Sequence, residues 1–273
     1  MNKILSKRKL AQNVNEYVIE APLVSRHCRP GQFVILILDE DGERVPFTIA
    51  DYDREAKTVT ILVQEVGYST MRLAQKEVGD SVFGFVGPLG NPTDMEKYDR
   101  IVLVGGGIGT AVIFPQAKYL KSIGKTVDVI VGARTRELVM YEEEFKQNSD
   151  NLYVMTDDGS YGEKGFVTNK LKELLDNNKN YDVVFAVGPM PMMRAVANLT
   201  REYGVHTVVS MNSIMVDGTG MCGGCRLTVG GETKYACVDG PEFDGHLVDF
   251  DEAINRLAYY KDQETEHKCR IKG

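Results

Sequence analysis

Apolar and polar positions change rhythm twice along this chain. Over the first 97 residues, short runs rich in Val, Ile and Thr occupy 17–21, 32–38, 47–51 and 58–66. Runs of that length and composition predict strands. The breaks between them carry turn formers: Pro30 and Gly31, Asp41 and Gly42, Gly79 and Asp80, and a Gly87, Pro88, Leu89, Gly90, Asn91, Pro92 stretch. Many short strands at even spacing predict a small antiparallel barrel.

From Arg100 the pattern becomes short, fully apolar strands alternating with helical periods. Strands are predicted at 101–104, 126–131, 152–156, 183–187 and 207–210, and helices at 111–123, 167–175 and 192–203. That alternation is the signature of a doubly wound parallel sheet. Beyond residue 210 it stops, giving way to glycine-rich loops around three cysteines and a final helical stretch at 251–260. The predicted fold class is therefore a β barrel plus an α/β domain, with segments 1–97, 98–210 and 211–273.

Composition narrows the function. The chain has 273 residues, 43% of them hydrophobic and 26% charged, and a net charge of -7. A length of this order suits two or three modules. No basic stripe is present to displace phosphate counterions, so nucleic acid is not an expected partner. The basic amino-terminal stretch has no continuous apolar core and does not read as a signal peptide. The longest apolar run, 33–38, is too short to span a bilayer. A cytoplasmic protein without membrane attachment is expected.

Five cysteines are present, and Cys222, Cys225 and Cys237 form C-x2-C-x11-C, a metal-site spacing rather than a disulfide framework. Cys28 and Cys269 stand apart and are expected to be free thiols. Five residues before Cys222 stands Asp217, so the loop reads D-x4-C-x2-C-x11-C, close to the C-x4-C-x2-C spacing of plant-type 2Fe-2S loops. Gly218, Gly220, Gly223 and Gly224 let backbone amides approach inorganic sulfide. A carboxylate can ligate iron as a harder donor. A structural zinc completed by Asp217 or His246, or three unligated thiols, would fit the same residues.

Arg44, Val45, Pro46, Phe47 and Thr48 combine a cation for pyrophosphate with an aromatic ring and a hydroxyl for a flavin; alone they also fit an edge strand with a surface arginine. Gly67, Ser69 and Thr70 lie in a small-residue turn before a helix, a place for phosphate. Gly105, Gly106, Gly107, Ile108, Gly109 and Thr110 follow a buried strand and open a helix, the setting of a dinucleotide loop, though not in G-x-G-x-x-G spacing. Gly188, Pro189 and Met190 end a later strand on the same carboxyl edge, where ligands of open α/β sheets lie. An acidic run, Asp239, Glu242, Asp244, Asp249, Asp251 and Glu252, is either a solvated face or a docking surface.

Taken in order, R-x-P-F-T, V-G-x-S-T, G-G-G-I-G-T, G-P-M and the cysteine loop resemble the ferredoxin-NADP reductase-like superfamily over nearly the whole chain. The likeness is greatest to the dihydroorotate dehydrogenase electron-transfer subunits and to the small subunits of NADH-dependent reduced ferredoxin:NADP oxidoreductases of the sulfide dehydrogenase type. The resemblance implies FAD between barrel and nucleotide domain, with Arg44 on its pyrophosphate, Phe47 and Thr48 near the ring, and Gly67, Ser69 and Thr70 on phosphate or ribityl. It implies NAD(H) over Gly107 and Gly109, with Gly188 and Met190 near the reactive end, and a 2Fe-2S cluster on Asp217, Cys222, Cys225 and Cys237. Asp217 in place of Cys is similar to the ferredoxin:NADP oxidoreductase type.

The implied function is hydride exchange between nicotinamide and flavin, then single-electron exchange with the cluster and a larger partner subunit carrying flavin and clusters. Ferredoxin would be reached through that partner, in electron bifurcation. A dihydroorotate or other dehydrogenase subunit, or a non-catalytic scaffold retaining the fold, are the alternatives. Arg134 and Arg136 after the second parallel strand leave NAD against NADP open, and the resemblance favours NAD(H).

Overall fold

The computed structural model describes residues 2–177, 180–260, 262–263 and 265–266. Cys269 lies outside them. The amino-terminal half is a seven-stranded antiparallel sheet built from β1 (Asn2–Ala11), β2 (Val14–Glu20), β3 (Phe33–Ile37), β4 (Arg44–Asp53), β5 (Thr58–Gln64), β6 (Ser81–Val82) and β7 (Gly84–Leu89). Short helices α1 (Pro22–His27) and α2 (Tyr68–Leu73) interrupt it. Strand order is β6-β1-β2-β5-β4-β3-β7. Only Phe83 separates β6 from β7, so the two edge strands are successive parts of one strand and the sheet nearly closes on itself.

The unbroken apolar run of β3 follows from its position. Val34 and Leu36 point into the barrel among Ile4, Tyr17, Ile49 and Ile61. Phe33 and Ile35 point the other way, into a core shared with the nucleotide domain and the cysteine loop. A strand buried on both faces loses the polar alternation that would otherwise mark it.

The second sheet comprises β8 (Arg100–Gly106), β9 (Thr126–Ala133), β10 (Asn151–Thr156), β11 (Glu163–Lys164), β12 (Val183–Val187) and β13 (His206–Ser210), all parallel. Helices α3 (Gly109–Ser122), α4 (Glu142–Gln147), α5 (Val167–Asp176) and α6 (Met190–Glu202) connect them. Along β8, Ile101 and Leu103 pack with Ile113 of α3, while Val102 and Val104 pack with Leu171 and Met193 on the opposite face. The order β11-β10-β9-β8-β12-β13 reverses direction between β8 and β12, the switch point where such sheets bind ligands.

The carboxyl-terminal segment adds the hairpin β14 (Arg226–Val229) and β15 (Glu232–Tyr235), strand β16 (Glu242–Asp244) and helix α7 (Phe250–Leu257). Strand β16 pairs antiparallel with β13, with Glu242 opposite Ser210. Residues 211–260 are thus sewn onto the nucleotide sheet rather than appended to it. Among the described residues no helix is long and apolar enough to cross a membrane.

Two helices begin earlier than their apolar period indicates. Helix α3 starts at Gly109 and α6 at Met190, two residues before the first predicted position in each case. Pro191 fits the first turn of α6, where its missing N–H has no helical partner to lose.

Candidate flavin, nucleotide and iron-sulfur site

Three groups of loops converge where the barrel meets the second sheet. On β4, Arg44, Val45, Pro46, Phe47 and Thr48 all remain half-exposed. Their backbone is fixed by pairing with β3: Thr48 opposes Phe33, Phe47 opposes Val34 and Arg44 opposes Ile37. Phe47 and Ser69 share a shallow hollow with Leu36, Leu38, Glu43, Val45 and Leu73. Ser69 donates its hydroxyl hydrogen bond to Glu43. Thr70 is buried, and its Oγ1 accepts from the amides of Val66 at 3.0 Å and Gly67 at 2.9 Å. Its hydroxyl therefore closes the turn into α2 and holds Gly67 and Ser69 in place.

At the switch point the two glycine motifs meet. Gly109 lies so close to β12 that a Cβ there would stand 2.3 Å from Val187 O and 2.8 Å from Gly188 N. A Cβ on Gly188 would stand 3.1 Å from Gly106 O. Gly107 adopts φ +56 with open space beside it and donates its N–H to Gly132 O at 2.9 Å. Gly105 and Gly106 end β8, Thr110 is buried in the first turn of α3, and Pro189 precedes buried Met190 at the start of α6. Gly105 is pressed against the start of α3, where a Cβ would stand 2.8 Å from Thr110 Cα, and Gly106 against Met192 of α6 at 2.3 Å; in the first turn of α3, Thr110 N donates to Gly107 O at 3.2 Å and Ala111 N to Ile108 O at 3.0 Å. Arg134 and Arg136 are exposed beyond β9, and Arg136 lies 5.1 Å over the Tyr161 ring.

The cysteine loop runs along the outside of β3. Cys225 and Cys237 are buried with their sulfurs 3.2 Å apart. Burial, and then contact with Cys225, pushes the Cys237 thiol up to about 12. Cys222 is exposed, and its sulfur accepts from the Gly224 amide at 3.4 Å. Asp217 lies against it: Oδ1 accepts from Thr219 N at 2.7 Å and Oδ2 from Cys222 N at 2.7 Å. Those amides, Thr219 foremost, hold the Asp217 carboxyl below the usual range. Gly218, Gly220 and Gly223 take positive φ values of 76, 85 and 66, which side chains resist.

The four candidate donors thus fall into two pairs, Asp217 with Cys222 and Cys225 with Cys237. Among the described residues no three His, Cys, Asp or Glu side chains converge on one point. Paired donors along a loop with inward amides suit a two-metal cluster better than a single tetrahedral zinc. His246 is engaged elsewhere, 3.0 Å from Thr200 Oγ1. Cys28 is a free, buried thiol in the barrel, pushed up to about 11 by burial.

The acidic run makes intramolecular hydrogen bonds, while Asp239, Asp249 and Asp251 stay exposed to solvent. Asp239 accepts from Tyr235 N, Asp244 from His246 N, Asp249 from Glu252 N as the α7 cap, and Glu252 from Thr228 N. Asp251 pairs with Arg194 at 2.7 Å, and Glu242 accepts from Thr93 Oγ1. The signals for loop closure and capping are local, and a tally of charges along the sequence does not reveal them. Exposed apolar side chains stand beside the cysteines, among the polar Thr219, Arg226 and Asp239: Met221 is 87% exposed, Val216 51% and Val238 43%.

Comparison with known proteins agrees with this architecture. Residues 212–249 match the iron-sulfur cluster binding domain of dihydroorotate dehydrogenase B, and residues 103–198 the oxidoreductase NAD-binding domain. A dihydroorotate dehydrogenase B (NAD(+)) electron transfer subunit homolog of Thermotoga maritima is 48% identical, covering 97% of this chain and 93% of that one. An uncharacterized protein of Clostridium beijerinckii, from the adh 3' region, is 51% identical over 99% of this chain and 94% of its own length. A solved structure of the NADH-dependent reduced ferredoxin-NADP oxidoreductase, studied for flavin-based electron bifurcation, superposes with TM-score 0.95 at 47% identity. It covers 100% of this chain and 98% of that one. Phthalate dioxygenase reductase, at 19% identity and TM-score 0.62, shares the fold. The chain belongs to the ferredoxin reductase-like family of dihydroorotate dehydrogenase B electron-transfer subunits, oxidoreductases that hold FAD, a 2Fe-2S cluster and NAD(H).

Proposed function

We propose that this chain is the NAD(H)-facing subunit of a cytoplasmic ferredoxin:NADP oxidoreductase, passing electrons between NAD(H) and a larger flavin and iron-sulfur subunit. The observation that carries this reading is the Asp217–Cys222 pair in a loop docked on the flavin-motif strand, since the carboxylate stands where a dihydroorotate-type loop has a thiolate. Bound FAD and the bound cluster supply the exchange between two-electron and one-electron transfer.

The chain's own residues supply position and environment. Arg44 offers a fixed cationic fork to a pyrophosphate. Pro46, Phe47 and Thr48 form a rigid apolar edge with one hydroxyl for the flavin ring, and Gly67, Ser69 and Thr70 a tight turn for phosphate or ribityl. Gly105, Gly106, Gly107, Gly109 and Thr110 cradle the dinucleotide phosphates, with Gly188, Pro189 and Met190 bordering the nicotinamide end. Asp217, Cys222, Cys225 and Cys237 hold the cluster, in a compartment reducing enough to keep thiolates free. Met221, Val216 and Val238 form the surface that meets the large subunit, and ferredoxin is reached through that subunit.

The test is anaerobic purification with its partner, followed by cofactor analysis and turnover. The expected result is flavin and cluster absorbance bleached by NADH, with NADP reduction requiring NADH and reduced ferredoxin together. A colourless, zinc-loaded protein would sink the proposal. Copurification with a dihydroorotate-oxidising subunit would move it to the second reading, which the family supports directly.

A further inference from the structure

Arg44 does not simply face the hollow beside β4. Its guanidinium reaches the cysteine loop, where Nε donates to Val216 O at 2.9 Å and a terminal nitrogen donates to Asp217 O at 3.1 Å. These two carbonyls immediately precede Gly218, the first left-handed residue of the loop. Gly218 itself is pressed onto the barrel, where a Cβ would stand 3.0 Å from Ile35 and Leu89 side chains. The Asp217 end of the loop is thus pinned to the barrel by apolar contact below and by one arginine above. A guanidinium carries five N–H donors, and two are engaged here, so three remain for a phosphate. Two consecutive carbonyls need a rigid fork, which lysine does not offer.

We infer that Arg44 is a shared strut, binding the cluster loop and the flavin pyrophosphate through one guanidinium, so that flavin occupancy and the environment of the Asp217 end of the cluster are coupled. The inference rests on the flavin and cluster reading above. Arg44 is a positioning residue for the cluster, acting through the loop backbone. Its charge lies beside the first donor pair, where a nearby cation favours the reduced cluster, and a pyrophosphate on the remaining donors offsets that charge. Coupling between two equilibria is reciprocal, so reduction of the cluster must weaken flavin binding by the same factor by which bound flavin disfavours reduction.

The experiment compares wild type, Arg44→Gln and Arg44→Lys as full chains, each with and without FAD. It reads the electron paramagnetic resonance signature and midpoint potential of the reduced cluster, and equilibrium FAD affinity. Stripping FAD from wild type is expected to raise the cluster potential and alter its signature. In flavin-free protein, Arg44→Gln is expected to lower the potential relative to wild type and to abolish the response to FAD. FAD affinity should fall roughly tenfold or more, the scale of a lost charge-assisted hydrogen bond. Arg44→Lys, which keeps the charge without the fork, should retain the potential better than it retains the signature, and it serves alone if the Gln variant does not accumulate.

A cluster signature and potential identical in flavin-free wild type and variants, with only FAD affinity reduced, would overturn the inference and leave Arg44 a pyrophosphate ligand alone. Failure of the wider reading looks different: wild type itself would carry no flavin or no cluster.

Discussion

Asp217 shapes its loop through amides while presenting a carboxylate to Cys222. Asp217→Cys places a softer donor at that position and is expected to keep a cluster with altered absorbance and potential. Asp217→Ala removes the donor and both amide acceptors, and is expected to give protein with less than half the wild-type iron. Iron and sulfide content with visible circular dichroism read the difference, and wild-type spectra in both variants would assign the fourth ligand elsewhere. Glu242 poses a separate residue-scale question. Its carboxyl sits deep at the junction of barrel, α3 and β16, keeps partial solvent access, and accepts from Thr93 Oγ1 at 2.5 Å. Burial pushes it up to about 8 from the ordinary value of 4.5. Between those values the folded chain holds a proton that the unfolded chain has released, so stability falls as pH rises and levels off above about 8. Hydrogen bonds from Thr93 and Gln116 act in the other direction, favouring the carboxylate, and burial outweighs them. Glu242→Gln is expected to flatten the decline in thermal midpoint between pH 5.5 and 8.5, two settings chosen to bracket most of that window. An equally steep decline in the variant would assign it to other groups.

At the scale of elements, the tightest constraint is where the start of α3 meets the end of β12. A methyl at Gly109 collides with Val187 O and Gly188 N, both backbone, so strand and helix must separate. Gly109→Ala is expected to lower stability by roughly 1–3 kcal/mol. Reduction by NADH should be lost while flavin absorbance stays. Gly107→Ala meets no neighbour and carries only the cost of φ +56, about 1–2 kcal/mol. Stopped-flow reduction by NADH and thermal melts should rank the two in that order, and equal effects would remove the steric argument. These constraints also explain what was legible beforehand. The core strands β8, β9, β12 and β13 and the helices α3, α5 and α6 announce themselves through apolar runs and helical periods, whereas the short α4, with only Phe145 buried, does not. Strand β1 does not, because its residues Asn2–Ala11 include Lys3, Lys7, Arg8 and Lys9 on a mostly exposed face, and only Ile4 and Ala11 are buried. Strand β16 does not either, since three half-buried residues carry no period and are held by pairing with β13. The glycine and cysteine motifs were readable as residue types, but their mutual contacts depend on tertiary approach, as Gly188 against Gly106 and Arg44 against Val216 show.

At the scale of the whole molecule, the barrel and nucleotide sheet are locked together before any ligand is considered. Lys118 of α3 bonds Asp51 of β4 at 2.9 Å, Tyr141 donates to Glu16 at 2.6 Å, and Phe33 and Ile35 enter the same core as Cys225 and Cys237. A rigid frame of this kind fixes the distances over which electrons move, and on the proposed function the outward face of the cysteine loop is where the large subunit would dock. That face carries large exposed apolar side chains, with Met221 projecting next to Cys222. Buried apolar anchors dominate association, and a charge placed at such an anchor is costly to desolvate. Met221→Glu is therefore expected to weaken association with the large subunit at least about tenfold. Because Met221 contributes no donor and lies outside the folded core, flavin and iron content should match wild type. Reduction by NADH with an artificial one-electron acceptor should be equally unaffected. Co-elution of the two subunits over a concentration series separates the outcomes: retained association would move the docking surface away from the cluster, and association lost together with iron would mean that Met221 supports the loop itself.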